Sequence, residues 1–380
     1  MLNNKIFDVA IVGGGMAGLS LAIQCNAAGF SVVLFEKEQY PYHKVCGEYI
    51  SLESWNFLES LGLNLNSLNL PFIKKLNISD LNGNLAEIDL PLGGFGISRF
   101  KVDEIMYQLA LNKGVVIYTK TKVEEVDFID DQFNIFSGSN VPIAARVVAG
   151  SYGRKGNLDV KWKRSFTLNK PGKLNNYVGV KYHIKYPIKD DVIELHNFQD
   201  GYCGISKIEE GKCCLCYLTT ARNLKKNNNS INEMEREIVM KNPFLKEIFS
   251  TGVFLFNEPV VVSQVSFEKK SQVENHVLML GDTAGVVAPL SGNGMSMALH
   301  SGKIAFLTIK AFLLNEITRT EMELQYRRQW KINFSKRLFV GRLLQKISGR
   351  EKHTARFVSF VKAFPKLAKK LISGTHGKAF

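Results

Sequence analysis

The chain has 380 residues, 45% of them hydrophobic, and no apolar run reaches the roughly 18 residues of a membrane-spanning helix, so the composition argues against a disordered chain and against a spanning one. The net charge of +14 is concentrated after Trp330, where thirteen Lys or Arg stand against one acid, and because no groove-reading motif accompanies this charge we expect no nucleic-acid partner. Six cysteines at irregular spacings, with no secretion-type leader before them, favour a reducing, cytoplasmic compartment.

The first predicted element is a strand from Phe7 to Val12, which runs directly into a glycine-rich turn. A helical pattern then continues to Ala28, and a second strand, Ser31 to Phe35, ends at Glu36. This order of strand, Gly-x-Gly-x-x-Gly, helix, strand and acid is typical of a dinucleotide-binding unit. The turn residues that we expect to contact the nucleotide are Gly13, Gly14, Gly15, Met16, Ala17 and Gly18.

Three of these glycines and the acid each have a physical task. Gly13 permits the tight turn, Gly15 allows the backbone to approach a pyrophosphate, and Gly18 lets the helix and the strand pack closely. The helix N-terminus faces the phosphate charge, while the Glu36 carboxylate can accept hydrogen bonds from an adenosine ribose. The N-terminal unit therefore predicts a bound dinucleotide.

The segment from Tyr40 to Ser51 reads YPYHKVCGEYIS and carries a lone cysteine, Cys46. Only His43 and Glu48 stand near it with side chains that could join it on a metal ion. Because these are too few for a closed site, we predict no metal here. A catalytic thiol and a small buried apolar group both remain open as interpretations of Cys46.

A second nucleotide-binding element lies far downstream. A strand pattern from His276 to Leu280 ends in Gly281 and Asp282, and a long helix is predicted after the turn from Gly292 to Gly294. Asp282 can hold the hydroxyls of a ribityl chain, and the bare N–H groups of the turn would stabilise negative charge on a reduced flavin. Nicotinamide has no use for such an element, so the predicted cofactor is FAD.

The chain resembles the FAD-dependent aromatic hydroxylases, the geranylgeranyl reductases and the flavin-dependent halogenases, and is nearest the reductase-like branch. The resemblance is carried by GGGMAG with its following acid, by KVCGE, and by GDTAGVVAPLSGNGMSMA. It implies that Lys44 and Cys46 lie along the FAD, that Arg99 touches it, and that Val123 contacts the adenine. The downstream residues that it assigns to FAD are Gly281, Asp282, Pro289, Gly292, Asn293, Gly294 and Met295.

Three features depart from these relatives. Tyr152 stands where they have an aspartate implicated in FAD and NADPH handling; NADPH or NADH is the candidate electron donor, but a phenol cannot supply the charge used in its usual docking. Gly204 and Ser206 replace the bulky pair that the reductases place against a prenyl chain, which predicts a wider pocket. The paired tryptophans of the halogenases are missing, which argues against halogenation.

Two further patterns have an ordinary structural explanation. The CCLC sequence at Cys213 to Cys216 has C-x-x-C spacing, but it lies in an apolar, strand-like run without a second cysteine pair, so core packing is favoured. His196 is a weak candidate for a substrate contact, because an isolated histidine is more often structural.

The predicted fold is α/β, with a discontinuous Rossmann-type, GR2-like FAD-binding domain, an inserted antiparallel β-sheet substrate domain and a C-terminal helical segment. A hairpin is predicted at Asn82-Gly83, and the polar stretch ARNLKKNNNSINE is predicted as a loop before a helix from about Ile231. The domain ranges are 1–69, 95–160 and 265–314 for FAD binding, 70–94 and 161–264 for the sheet above the flavin, and 315–380 for the C-terminal segment.

The C-terminal segment has apolar residues at helical spacing from Phe357 to Ile372 with Lys and Arg between them, and Pro365 should divide it. One interpretation is an amphipathic helix that packs on the body. The other is peripheral attachment to an anionic membrane surface, at the inner face of the membrane, where a lipophilic substrate would be collected.

The sequence thus predicts an FAD-dependent oxidoreductase, most simply a monooxygenase acting on a lipophilic small molecule, a class that includes aromatic compounds. The alternatives are a reductase of carbon–carbon double bonds and a non-catalytic, FAD-containing membrane-surface binding protein. Since the protein's work in a flavin monooxygenase is positioning and exclusion of water, no catalytic acid or base is predicted.

Overall fold

The structure, a computed structural model, describes residues 6–138, 141–169, 176–287 and 292–380. Within these ranges the strands form two sheets, one of eight and one of nine strands. The strands of the first sheet are β1 (Ile6–Val12), β2 (Val32–Phe35), β6 (Val116–Tyr118), β7 (Glu125–Ile129), β8 (Gln132–Phe136), β9 (Ile143–Gly150), β16 (Val273–Glu274) and β17 (Val277–Met279). Those of the second are β3 (Tyr49–Ser51), β4 (Phe72–Ser79), β5 (Leu85–Gly96), β10 (Tyr177–Lys185), β11 (Val192–Phe198), β12 (Gly201–Lys207), β13 (Cys213–Thr220), β14 (Val253–Phe254) and β15 (Val260–Val265).

The first sheet has a parallel centre, in the order β17, β9, β1, β2, β6. Parallel strands buried on both faces read as continuous apolar runs, and β1 and β2 have this character. The carboxyl end of β1 leads straight into the glycine turn, so the turn lies at the edge of the sheet where α/β proteins bind nucleotides. The predicted Rossmann-type arrangement is present.

Helices cover this sheet. The first and ninth helices pack against each other and both begin at predicted nucleotide turns. The helices are α1 (Met16–Ala27), α2 (Trp55–Leu61), α3 (Arg99–Asn112), α4 (Asn157–Lys161), α5 (Ser165–Leu168), α6 (Ala221–Lys226), α7 (Ile231–Glu237), α8 (Pro243–Thr251), α9 (Gly294–Leu313), α10 (Arg319–Ile347), α11 (Glu351–Ala363) and α12 (Pro365–Ser373).

The second sheet follows the order β14, β10, β13, β12, β11, β4, β5, β3, with β15 also paired to β10. Its neighbours are antiparallel except for the parallel pair of β4 and β11. The predicted hairpin joins β4 to β5, and Gly83 takes the positive φ of +85° that its turn requires. One face of this sheet looks toward the nucleotide turns.

Two expectations about organisation differ from the structure. The stretch predicted as a loop after Thr220 begins with the helix α6, because Asn223 is buried and donates hydrogen bonds to the Gln199 carbonyl and to Thr219. The strand β3 lies inside the range predicted for FAD binding, but it pairs with β5 in the second sheet. A three-residue strand carries too little periodicity to reveal its partner.

The C-terminal segment packs on the body. Pro365 separates α11 from α12 as predicted, and the side chains of Val358, Val361, Ala368 and Ile372 are buried in a cluster with strands of the second sheet. This apolar face is therefore not available to lipid. Among the described residues no helix combines the length and apolarity needed to cross a bilayer.

Candidate functional site

A cavity of about 930 Å³ lies between the carboxyl edge of the first sheet and one face of the second, and its size is typical of a ligand or cofactor site. Most residues predicted to bind the nucleotide line it. Those on its wall are Gly13, Gly15, Met16, Ala17, Glu36, Lys44, Cys46, Arg99, Val123, Gly281, Asp282, Gly292, Asn293, Gly294 and Met295. Gly14 and Gly18 are not part of the wall, and Pro289 lies outside the described residues.

The glycine turn is shaped by close backbone contacts. A Cβ atom on Gly13, whose φ is +103°, would lie 2.5 Å from the Ser151 carbonyl, and one on Gly18 would lie 2.2 Å from the Gly13 oxygen. A Cβ on Gly15 would meet nothing closer than 3.8 Å. Gly13 and Gly18 are thus needed for the fold itself, whereas the open space at Gly15 is left for a ligand.

Two helix N-termini open into the cavity without a side-chain cap. Helix α1 begins after Gly15 and helix α9 after Asn293, and neither end has a capping side-chain hydrogen bond. The free N–H groups and the helix dipoles favour negative charge at both places. A pyrophosphate at one end and a reduced flavin ring at the other fit these two donors, so the residues present suit FAD.

Glu36 is held in place by the backbone. One carboxylate oxygen accepts from the Gly14 N–H at 2.8 Å, and the other accepts from the Glu38 N–H at 3.0 Å. A carboxylate oxygen can accept more than one hydrogen bond, which suits the predicted ribose contact.

A charged cluster lies beside the glycine turn, where a Cβ on Gly15 would be 3.8 Å from the Arg99 guanidinium. Asp103 is buried and accepts from Arg99 at 2.7 Å and from Lys44 at 2.9 Å. Burial opposes ionisation of Asp103, but the two cations outweigh it and hold its pKa below the usual value. Two cations against one carboxylate leave a positive balance on this wall, which suits an anionic cofactor.

Glu48, in the KVCGE segment, is the centre of a second buried network. Its φ is +55°, and its carboxylate accepts from the Arg99 N–H at 2.8 Å, from Lys181 Nζ, and shares a hydrogen bond with His183 Nε2 at 2.6 Å. Although burial acts to raise the pKa of Glu48, His183 and Lys181 lower it below the usual range. The network ties the segment that lines the cavity to strand β10.

Sequence reasoning missed Lys181 and His183. Both stand in the otherwise apolar strand YVGVKYHIK, two residues apart and so on one face. A charged residue inside a buried strand needs a partner, and this signal could have marked the pair.

The same network includes the described residues that could hold a metal ion. Ligand atoms of Glu48, His183 and Cys214 lie within 4.8 Å of one another, a grouping that local spacing around Cys46 could not reveal. Lys181 already supplies a cation to Glu48, however, and burial raises the pKa of the Cys214 thiol. A protonated thiol and an adjacent ammonium group make a poor metal site.

Cys46 lies against this network. Its sulfur accepts weakly from the Glu48 N–H at 3.5 Å, and its carbonyl accepts from the Cys214 thiol at 3.2 Å. Burial raises the pKa of Cys46, and no base is bonded to its sulfur among the residues described. Its surroundings suit a contact residue more than a nucleophile.

The second sheet roofs the cavity with neutral side chains. Gly204 stands at the centre, Ser206 lies two residues further along the same strand, and Cys216 lies beside Gly204 on the neighbouring strand. The residues of β10 to β13 on the cavity wall include no charged group; besides Tyr217, which packs in the core behind the sheet, they are Gly179, Ile193, Leu195, Tyr202, Gly204, Ser206, Cys216 and Leu218. We call these eight residues the roof. None of the three tryptophans is among the residues of the cavity wall.

The cysteines of CCLC and His196, singled out above from the sequence, lie on both faces of this sheet. Cys213 packs in the core behind the roof, whereas Cys216 faces the cavity, so the core interpretation of CCLC holds for only part of it. His196 points away from the cavity, where it is hydrogen-bonded to Ser79 at 2.9 Å and to Glu194 at 3.0 Å. Its role is structural.

Tyr152 lines the cavity where the relatives have an aspartate. Its hydroxyl donates to Asp159 at 2.9 Å, and Asp159 is paired with Arg164 at 2.6 Å. Burial raises the pKa of Tyr152, so the phenol is neutral. The position supplies no charge to the cavity.

A hydrogen-bond network also reaches the cavity from the C-terminal segment. The Asn293 side chain donates to the Thr375 carbonyl at 2.7 Å, next to the predicted flavin turn. Glu53 is buried and accepts from Arg337 at 3.0 Å and from the Gly377 N–H at 2.5 Å. We call residues 375–377 the strut, since they support the turn at Asn293.

Comparison with known proteins adds to this geometry. A family model described as an FAD binding domain matches residues 8–44, the stretch that includes the glycine turn and Glu36. This chain is an FAD-binding flavoprotein. The geometry at both helix N-termini agrees with that cofactor.

Among curated proteins, this flavoprotein is 22% identical to conditioned medium factor receptor 1 of Dictyostelium discoideum, over 87% of its own length and 69% of the relative. It is 24% identical to digeranylgeranylglycerophospholipid reductase 1 of Methanothermobacter thermautotrophicus, over 78% and 75% of the two chains. The predicted resemblance to a superfamily that includes such reductases and the halogenases is confirmed.

Among solved structures, the flavin-dependent brominase Bmp2 superposes with a TM-score of 0.80, covering 99% of this flavoprotein and 94% of the brominase, at 19% identity. The close superposition establishes that the two proteins share a fold, and at this level of identity it establishes the fold alone. It confirms the predicted α/β arrangement of an FAD-binding domain with an added sheet and C-terminal helices.

Proposed function

We propose that this flavoprotein is a monooxygenase that hydroxylates a lipophilic small molecule held beneath the roof. The observation that carries the proposal is the neutral, largely apolar roof opposite the predicted flavin residues. When bound, FAD supplies the redox chemistry, because its reduced ring reacts with dioxygen. The part of the chain is to hold the two reactants together and to exclude water from them.

Named residues supply these contributions. The N–H groups at the start of α9 stabilise negative charge on the flavin ring, and the Arg99 and Lys44 side chains supply positive charge beside the glycine turn. On the opposite side Leu195 and Leu218 give an apolar surface that a lipophilic molecule can cover. A hydroxylase needs this combination of a nucleotide wall that stabilises negative charge and an apolar roof that excludes water.

The second candidate is a double-bond reductase. It is favoured by the KVCGE segment and by the similarity to a digeranylgeranylglycerophospholipid reductase. Gly204 argues against a close fit to a narrow prenyl chain, because a glycine at the centre of the roof leaves the cavity wide there.

The test is to incubate the purified holoprotein with a panel of lipophilic phenols and prenyl lipids. Hydroxylation predicts that substrate stimulates oxidation of NADPH or NADH together with dioxygen uptake and a hydroxylated product. Product formed without oxygen, from chemically reduced flavin, would instead establish the reductase. Turnover in neither assay would favour a non-catalytic FAD-containing binding protein. A chemically reduced arm is needed because Tyr152 removes the charge expected for nucleotide docking.

We also propose that the joint between α11 and α12 makes peripheral contact with an anionic membrane. Although the apolar face of these helices is buried, Phe364 and Leu367 at the joint are 54% and 55% exposed. The exposed lysines Lys362, Lys366 and Lys370 lie within three positions of one or the other in the sequence. Apolar side chains flanked by cations suit the surface of an anionic bilayer.

A further inference from the structure

The cavity contains two buried hydroxyl groups without a partner. Ser206 is 1% exposed and Tyr49 is 6% exposed, and both side chains line the cavity. Neither hydroxyl has a hydrogen-bond partner among the described residues. Leaving a buried hydroxyl unsatisfied costs about 1–3 kcal/mol, so two such groups on one cavity wall point to a ligand that satisfies them.

The two hydroxyls come from opposite sides of the cavity. Ser206 lies on β12 in the roof, between Ile193 of β11 and Cys214 of β13. Tyr49 lies on β3, and its ring is next to the predicted flavin turn, since a Cβ on Gly292 would be 3.0 Å from it. A molecule between roof and flavin turn can therefore meet a hydroxyl on each side.

The charges around Ser206 exclude an ionic ligand at this place. The Glu48 carboxylate is already engaged by three donors, and Lys181 and His183 are engaged with it. The roof itself has no charged side chain. Burying an ion against such a surface, without a counter-charge, is strongly unfavourable.

We propose that Ser206 forms a polar subsite that binds a neutral hydroxyl or carbonyl group of an otherwise apolar substrate, with Tyr49 as a second hydrogen-bonding point on the opposite side of the cavity. This inference rests on the proposed function, whose substrate class it narrows. Both hydroxyls can donate and accept, so an alcohol, a neutral phenol or a ketone satisfies them equally. Burial raises the pKa of Tyr49, which keeps its hydroxyl neutral and able to donate.

The test is a binding titration of the oxidised holoprotein, followed by the shift of the flavin absorbance bands, with the matched ligands 2-naphthol, naphthalene and 2-naphthoate. We expect 2-naphthol to bind roughly tenfold more tightly than naphthalene, as one satisfied pair of hydrogen bonds would give, and 2-naphthoate to bind more weakly than either. Ser206→Ala should reduce the preference for naphthol over naphthalene to about threefold or less.

Ser263→Ala is the matched control, because Ser263 also lines the cavity but is exposed at its rim. It should leave the preference unchanged. The flavin absorbance of each variant shows whether it has folded, and Ser206→Cys, which preserves the size of the side chain, serves if Ser206→Ala does not hold FAD. An unchanged preference in the Ser206 variants, tight binding of the carboxylate, or no binding of either neutral ligand would overturn the subsite. Since the titration requires neither oxygen nor an electron donor, its result is independent of whether the protein is a hydroxylase.

Discussion

The two walls of the cavity are built in different ways. On the nucleotide wall, short segments that are continuous in sequence supply the contacts: one glycine turn, one acid, and one turn before a helix. On the opposite wall, the roof takes one to three residues from each of four strands, and the adjoining polar network joins Glu48 to residues more than 130 positions away. Backbone geometry defines the first wall and side-chain packing defines the second. Substitutions in the first wall should therefore abolish FAD binding altogether, whereas substitutions in the second should change stability or ligand binding by graded amounts.

The largest expected effect is loss of the cofactor from the nucleotide wall. We predict that Gly15→Val and Asp282→Ala each give protein with roughly a tenth or less of the wild-type FAD per chain. A Cβ atom at Gly15 would meet no protein atom closer than 3.8 Å, so we expect the substitution to act on the ligand and not on the fold. The measurement is flavin absorbance per chain, with circular dichroism to verify folding.

Gly13→Val provides the contrast, because its Cβ would lie 2.5 Å from backbone and the residue has a positive φ. This variant should lose both FAD and its fold. If Gly15→Val and Asp282→Ala both retain stoichiometric flavin, the assignment of the two motifs is wrong.

The next effect concerns the buried network behind the roof. We predict that Glu48→Ala lowers the free energy of unfolding by about 3–5 kcal/mol, because it leaves Lys181 buried without its carboxylate. Urea denaturation measures this. Glu210→Ala removes an exposed carboxylate that is also paired with lysines, and it should have no measurable effect.

The same network predicts a pH dependence. The pKa of Glu48 is lower in the folded protein than in the unfolded chain, so its stabilisation is present above the ordinary glutamate pKa of about 4.3 and is lost as the pH falls through the folded-state value. Wild-type protein should lose stability in this acid range more steeply than Glu48→Gln. Parallel curves for the two proteins would show that Glu48 is not the group that titrates.

A weaker effect is expected at the joint of α11 and α12. If Phe364, Leu367 and their lysines contact lipid, the full chain should co-sediment with anionic vesicles at low salt, with each lysine contributing roughly 1 kcal/mol near the surface and less at high salt. Phe364→Ser with Leu367→Ser should abolish this binding. Ile129→Ser, a change at a 58% exposed side chain of the nucleotide half, is the control.

Truncation near Trp330 is not a usable test of this contact. It would remove Arg337 and the strut along with the joint, and so would disturb the body of the protein. If the full chain stays in the supernatant with every vesicle and salt concentration, the membrane contact should be abandoned.

The smallest effect is predicted for Cys46, which lies between the two walls. Cys46→Ser should keep bound FAD and most turnover, because burial keeps the thiol protonated and no base activates it. Flavin content and substrate-stimulated oxygen uptake measure the two properties. Complete loss of turnover with flavin still bound would show that the thiol is catalytic. Cys46 would then not be a mere contact residue.

The contrast between the walls also explains what the sequence could predict. The turn from Gly13 to Gly18, the turn before α9 and the hairpin at Gly83 are local, since each is determined by residues within a few positions of one another. The partners of Glu48 depend on the register of β10 in a sheet assembled from distant segments, which one sequence does not specify. For the same reason the hydroxyl of Ser206 could be recognised as part of a wider pocket, but not as an unpaired group.

The strut gives the flavin site a late step of assembly. Thr375 is 82 residues beyond Asn293, and Gly377 is 324 residues beyond Glu53, so a nascent chain on the ribosome holds both nucleotide motifs well before it holds their support. Flavin binding and docking of the strut are also thermodynamically linked. If the docked strut increases the affinity for flavin, then bound flavin stabilises the docked position of residues 375–377 by the same free energy. A chain without residues 375–377 would therefore retain the recognition motifs and lose the support that steadies them.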